Sequence, residues 1–169
     1  MPSQSVTFVV ELYPGYLPPM EAPALLEKLS SFEPVLLDMV GTELQQYQYN
    51  IWDSEGASVG MPWPALAEST LREKRRLGYP DQTLVRKGRL ASEIGQTIVV
   101  TGDTVAVGIN SDEVRYAAFH DDPGPGSHVP QRVLVAILDD EIEKLLGIVQ
   151  TYLCELTGLS AGILRVTAV

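Results

Sequence analysis

Cysteine is nearly absent. Cys154 stands alone, so no internal disulfide can form, and with only two histidines beside it the chain lacks the ligands for a closed zinc site. Long apolar runs are missing too: although 45% of the residues are hydrophobic, no stretch approaches the roughly 20 residues that a membrane-crossing helix needs. The N-terminus has no positive region ahead of an apolar core, so a secretory signal is not expected, and a reducing cytosol fits the lone thiol. Positive charge is scarce as well, with 12 Lys and Arg against 22 Asp and Glu, a net charge of −10. Nucleic-acid binding runs on Lys and Arg neutralising phosphate, so this balance argues against a protein whose task is to hold DNA or RNA. Also absent are a Gly-x-Ser-x-Gly elbow, a Walker-type loop, a Rossmann glycine pattern and paired cysteines, which removes the commonest catalytic signatures.

What is present suits one soluble globular domain over 1–169, a length that buries one good core and is short for two. Val6–Tyr13, rich in β-branched and aromatic residues and stopped by Pro14-Gly15, reads as a strand. A first helix is expected from 21–23 to about Phe32. A second, from about Pro34 to Tyr49, has Leu36, Leu37, Val40, Leu44 and Tyr47 at helical spacing, and Gly41 within it calls for a close neighbour or weakens it. Asp53–Gly60 reads as a loop. Trp63 between Pro62 and Pro64 is either a buried wedge or an exposed anchor. A basic helix follows from about Ala65 to Leu77, and then a short helical turn from Ala91 to Ile94. Thr97–Thr101 and Thr104–Gly108, joined by Gly102-Asp103, signal a β-hairpin. The Gly- and Pro-rich loop 121–128 has little to bury and is expected to order on assembly. Arg132–Ile137 reads as a covered strand, and Asp139 or Asp140 caps a long helix. Along that helix Leu138, Ile142, Leu145, Val149, Tyr152 and Leu156 step in a heptad-like core seam, with Glu141 and Glu143 favourable in its first turn. Ile163–Thr167 could form a terminal strand or arm.

The fold class that follows is α+β: a small, mainly antiparallel sheet, from the hairpin and the 132–137 strand, packed by long helices, with extended terminal arms at 1–19 and 158–169. Seven of the twelve basic residues (Arg72, Lys74, Arg75, Arg76, Arg86, Lys87 and Arg89) fall within positions 72–89. That cluster is a solvated surface, a dock for an acidic neighbour, or a nucleic-acid contact. His120-Asp121-Asp122, with His128 near, could bind a metal or supply a general base, which keeps a small metal-dependent hydrolase open. Two adjacent carboxylates in a Gly/Pro loop have no spacing that aims them at one point, so a structural role for His120 is the plainer reading. No cofactor is called for.

The motif order Pro62-Trp63-x-x-Leu66, the basic helix, Leu84-Val85-x-x-Gly88-Arg89-Leu90, the hairpin, Tyr116-Ala117-x-x-His120 and Pro130-x-Arg132-Val133-Leu134 resembles the phage virion-morphogenesis family of tail-completion proteins over about 35–155. The resemblance implies a non-enzymatic structural protein of the virion tail or neck, made in the host cytoplasm. It would act at the head-proximal end as a tail terminator in tail completion and head–tail joining. Its implied partners are copies of itself in a ring, a hexamer among the counts, with the tail tube and the head–tail connector. DNA would pass through without specific binding, and no membrane is involved. The subunit-interface residues it suggests are Trp63, Arg72, Arg75, Arg76, Arg86, Lys87, Arg89, His120 and Arg132.

Overall fold

Alternation of β-branched and polar residues gives the sheet its strands. β1 (Ser3–Leu12) buries Val6 and Phe8 and turns Val9 outward, as a half-covered strand should. β2 (Thr97–Thr101) and β3 (Thr104–Gly108) form the expected hairpin: Gly102 takes φ 61° while Asp103 stays at negative φ, the pattern of a II′ turn. β4 (Leu164–Ala168) pairs antiparallel with β1, Val10 opposite Val166, and the strand order of the antiparallel sheet is β2-β3-β1-β4. The computed structural model describes residues 3–12, 24, 27, 33–110, 114–161 and 163–169. The helix expected from 21–23 to about Phe32 lies outside them apart from Ala24 and Glu27, which are helical. The fold is α+β, and among the described residues no helix is long and apolar enough to cross a membrane.

Two compact units make up the chain, one of residues 5–43, 98–106 and 137–169, the other of residues 1–4, 44–97 and 107–136. In the first, the long helix α5 (Asp139–Thr157) packs on β4 and on a π-helical stretch, Leu36–Val40. That stretch interrupts the helix expected at 34–49. A short turn, Glu33–Val35, precedes it, and regular helix α1 runs from Gly41 to Asp53. Gly41 does have a close neighbour, since an added Cβ would lie 3.6 Å from Ile98 Cγ2. The π geometry shifts the helical phase, so Leu36 and Val40 are buried while Leu37 and Met39 face solvent at 60% and 45% exposure.

The α5 seam differs from the heptad expectation. Its buried residues are Glu141, Leu145, Val149 and Leu153, stepping by four, with Ile142, Tyr152 and Leu156 only half-covered. A four-residue step suits a single straight helix laid on a sheet, whereas a 3-4 alternation suits a supercoiled partner. Glu141, expected to gain from the helix's positive end, is instead buried, and desolvation pushes its carboxyl above the usual value. Gln150, next to the seam residue Val149, donates to the Leu164 carbonyl (2.9 Å) and accepts from the Val166 N–H (3.0 Å). The paired Thr7 and Val169 exchange both backbone bonds, so odd residues of β4 face β1 and the even ones lie on its free edge. Gln150 therefore occupies the free edge. The flanks expected as arms for neighbouring subunits pair with each other.

The strand expected at Arg132–Ile137 forms no ladder, although Leu134, Val135 and Ala136 are buried as that reading required. The sheet gets its inner strand from β1 instead.

Leu145 and Val149 are fully buried. Leu145→Ala or Val149→Ala is expected to cost about 1–4 kcal/mol from lost transfer energy and the cavity left behind. Urea unfolding of each variant checks this; unchanged midpoints in both would reject α5 as the core helix.

Candidate functional site

The site belongs to the unit of residues 44–97 and 107–136, and it starts from the extended segment 132–136. Buried backbone without a sheet partner must find hydrogen bonds elsewhere, and here side chains supply them. Trp63 Nε1 donates to the Val133 carbonyl (2.9 Å), Gln48 Nε2 donates to the Ala136 carbonyl (2.8 Å), and Asp121 Oδ1 accepts from the Leu134 N–H (2.8 Å). The Arg132 N–H donates to the His120 carbonyl at 2.7 Å. Trp63 is 8% exposed and packs edge-on against Trp52, ring centroids 5.3 Å apart. Gly56 holds it from the other side: with φ 81° and Trp63 Cδ1 only 2.8 Å from where a Cβ would stand, no other residue fits. Trp63 is thus the wedge, and the expectation of an exposed interface anchor is corrected by its burial.

The same segment carries Arg132 to the wall of a groove of about 990 Å³. One wall is the loop-and-helix stretch leading into α2 (Glu68–Arg76), with Leu66, Thr70, Lys74 and Leu77. The floor and lip come from Tyr79 and from 84–90, which ends in the short helix α3 (Arg89–Glu93). Tyr116 and His120, from the N-cap and body of α4 (Ala117–Asp121), close it together with His128, Val129, Pro130 and Arg132. Five of the chain's twelve Lys and Arg line this groove (Lys74, Arg86, Lys87, Arg89 and Arg132) against one carboxylate, Glu73. Apolar surface is interleaved with them: Leu77, Tyr116 and Val129 stand about two-fifths exposed, at 41%, 45% and 39%. Leu84 on the lip adopts φ 60°, a strained conformation for a leucine and one that clusters at working surfaces.

Individual charges are held differently. Arg86 lies over the Tyr79 ring, 5.0 Å from its centroid. Lys74 Nζ donates to the Gln82 carbonyl at 2.6 Å, and burial holds its ammonium below the usual value. Arg132, 5% exposed, donates through Nη2 to the Pro64 carbonyl at 3.1 Å and through Nη1 to the Pro130 carbonyl at 3.4 Å, while its Nε has no hydrogen-bond partner. It is a buried clamp on the groove wall. Burial first, and the Arg132 charge second, hold His120 below the ordinary imidazole value, and His120 Nδ1 is buried without a hydrogen-bond partner.

The structure thus brings together Arg86, Lys87, Arg89, His120 and Arg132. It leaves Arg72, Arg75 and Arg76 on exposed positions outside the groove, where Arg75 pairs with Asp81 at 2.8 Å and Arg72 donates to the Glu68 carbonyl of its own helix. Lys74, counted in the basic cluster, and His128, noted beside His120, also line the groove; the lining residues that sequence reasoning did not single out for contact are Tyr79, Leu84, Tyr116 and Val129. For Leu84 the signal was the mixing of Leu and Val with Arg and Lys through 84–90. The metal-hydrolase alternative rested on His120-Asp121-Asp122; Asp121 accepts from the Leu134 N–H and Asp122 from the Gly124 N–H at 3.3 Å, so both carboxylates serve the backbone. Among the described residues, no three His, Cys, Asp or Glu are grouped so as to hold a metal.

The phage virion morphogenesis family matches residues 22–154. The chain belongs to that family. No curated protein and no solved structure matches it. Membership assigns this virion-morphogenesis chain a structural or assembly role in phage particles.

Two outcomes follow from this geometry. Trp63→Phe keeps the ring but leaves the buried Val133 carbonyl unpaired, which is expected to cost about 1–3 kcal/mol; an unaltered urea midpoint would show that the bond carries nothing. A lowered His120 pKa means that the unfolded chain binds the proton more tightly, so stability is full above the usual imidazole value of about 6.5 and falls as pH drops through that value. The His120→Gln variant should lose that part of the acid sensitivity, and thermal melts that fall in parallel with the wild type from neutral to mildly acidic pH would sink the assignment.

Proposed function

We propose that this chain is a non-enzymatic tail-completion protein that acts at the head-proximal end of the phage tail, finishing the tail tube as a ring of its own copies and preparing it to join the head. The observation that carries the reading is the separation of charge. A chain with a net charge of −10 gathers five cations and an exposed apolar rim in one groove, the composition of a protein–protein interface with aromatic and arginine residues at its centre. A site built for catalysis needs titratable groups converging on a reacting atom, and here the carboxylates beside His120 are engaged by backbone N–H groups. The acidic balance also suits a ring through which duplex DNA must slide, because a lumen rich in Lys and Arg would hold phosphate by releasing counterions.

The test is genetic and visual. Inactivating the gene in its phage should leave DNA-filled heads and tails unjoined in electron micrographs, with joining restored by the wild-type gene supplied in trans. Joined, infectious particles without the protein would overturn the reading. Tight duplex binding at about 50 mM salt, falling steeply as salt rises, would instead favour a nucleic-acid role for the groove.

A further inference from the structure

The groove has a counterpart on the same chain. The stretch 72–89 holds seven of the twelve basic residues and only two of the 22 acidic ones, Glu73 and Asp81, which leaves 20 acidic residues against five basic elsewhere. Most of that acidic surface is plain polar helix, such as Asp139 and Asp140 in the first turn of α5. One place differs. On the π-helical turn, Leu37 and Met39 stand 60% and 45% exposed on either side of the exposed Asp38, so an apolar pair flanks a carboxylate on a projecting turn. Among the described residues Leu37 is the most exposed of the leucines, and π-turns, being strained insertions in a helix, recur at functional positions.

We infer that the Leu37-Asp38-Met39 knob of one copy docks into the Arg86–Lys87 groove of the next copy, as the repeating contact of a homo-oligomer. The apolar pair would cover Leu77, Tyr116 and Val129 on the rim, and the Asp38 carboxylate would meet Arg86 and Lys87 in a groove whose lining holds five Lys and Arg and one carboxylate, Glu73. Duplex DNA fits less well, because a phosphate backbone would leave that apolar rim uncovered. Knob and groove are different surfaces, so the contact is heterologous: each copy offers one of each, and repetition closes a ring or runs on as a filament. This contact rests on the ring reading above and specifies its interface.

Two full-length variants test it, each checked for native circular dichroism: a groove variant, Arg86→Glu with Lys87→Glu, and a knob variant, Leu37→Ser, Asp38→Lys and Met39→Ser. Sedimentation velocity over a concentration series should show the wild type growing beyond a dimer and each variant remaining monomeric. Mixed in equal amounts, the two should form a complex of one copy of each and stop there, since the intact knob of the groove variant meets the intact groove of the knob variant and both remaining faces are dead. If the wild type assembles and either folded variant assembles equally well, or the mixture stays monomeric, the knob-in-groove contact is wrong while the ring survives. A wild type that stays monomeric at every concentration removes both. Salt-sensitive duplex binding by the wild type that the groove variant loses, without any self-association, would reassign the groove to nucleic acid and overturn the contact. Should a variant fail to fold, single Lys87→Glu and single Met39→Ser carry the same comparison, each expected to weaken assembly by roughly tenfold, about 1.4 kcal/mol.

Discussion

The unit that carries the groove depends on how an apolar, extended segment is buried without a sheet. Residues 132–136 have strand-like composition, yet no ladder satisfies their backbone; Trp63, Gln48 and Asp121 do so from three separate elements, and the His120 carbonyl takes the Arg132 N–H. An unpaired buried N–H or carbonyl costs about 1–3 kcal/mol, so each of these contacts is worth more as an avoided loss than as a net gain. The arrangement also fixes geometry. Each side chain can reach the segment only if its own element is in place, so the indole, the amide and the carboxylate align α1, the Pro62-Trp63-Pro64 stretch and α4 around one line.

That line ends in the groove. Arg132 begins the buried segment and Val129-Pro130 precede it, so the contacts that secure 132–136 also set one wall of the site. Desolvating Arg132 among neutral carbonyls is costly, and a guanidinium remains charged at any ordinary pH. Its field lowers the His120 proton affinity, and it lines the same groove as the cations at 86–89. A cationic patch with a buried charge behind it keeps part of its attraction in salt, unlike a set of solvated lysines.

Sequence pattern alone carried the α+β class, the hairpin, the basic helix and the long C-terminal helix, because period-2 and period-3.6 signals and the Gly102 turn are local. It failed where a non-local choice decided. Arg132–Ile137 carries the composition of a covered strand, and only the positions of Trp63, Gln48 and Asp121 reveal that side chains replace the ladder. Leu37 fits the helical stripe until the π-turn turns it outward, and nothing in a spacing count signals an inserted residue. At the site, the cluster at 72–89 was visible as charge, but its division was not: α2 sends Arg72, Arg75 and Arg76 to solvent, while Arg86, Lys87 and Arg89 line one groove with Lys74. Trp63 and Arg132 looked like interface residues because aromatic and arginine side chains are favoured both there and in buried clamps, and composition does not separate the two.

How this chain can associate is also constrained by its sheet. Open edges are the easiest route by which β-proteins join, and β4 would be one. Gln150 occupies the outward Leu164 carbonyl and Val166 N–H with its own amide, and β2 at the other edge is only five residues long. Strand addition at β4 would have to displace these two formed hydrogen bonds before the edge could pair, which lowers its net gain. Side-chain surfaces offer another route, and the groove's cations and exposed apolar rim supply both long-range attraction and burial. A contact made that way is weakened by salt through its charges and hardly at all through its apolar part, whereas a contact made by strand pairing would be almost indifferent to salt.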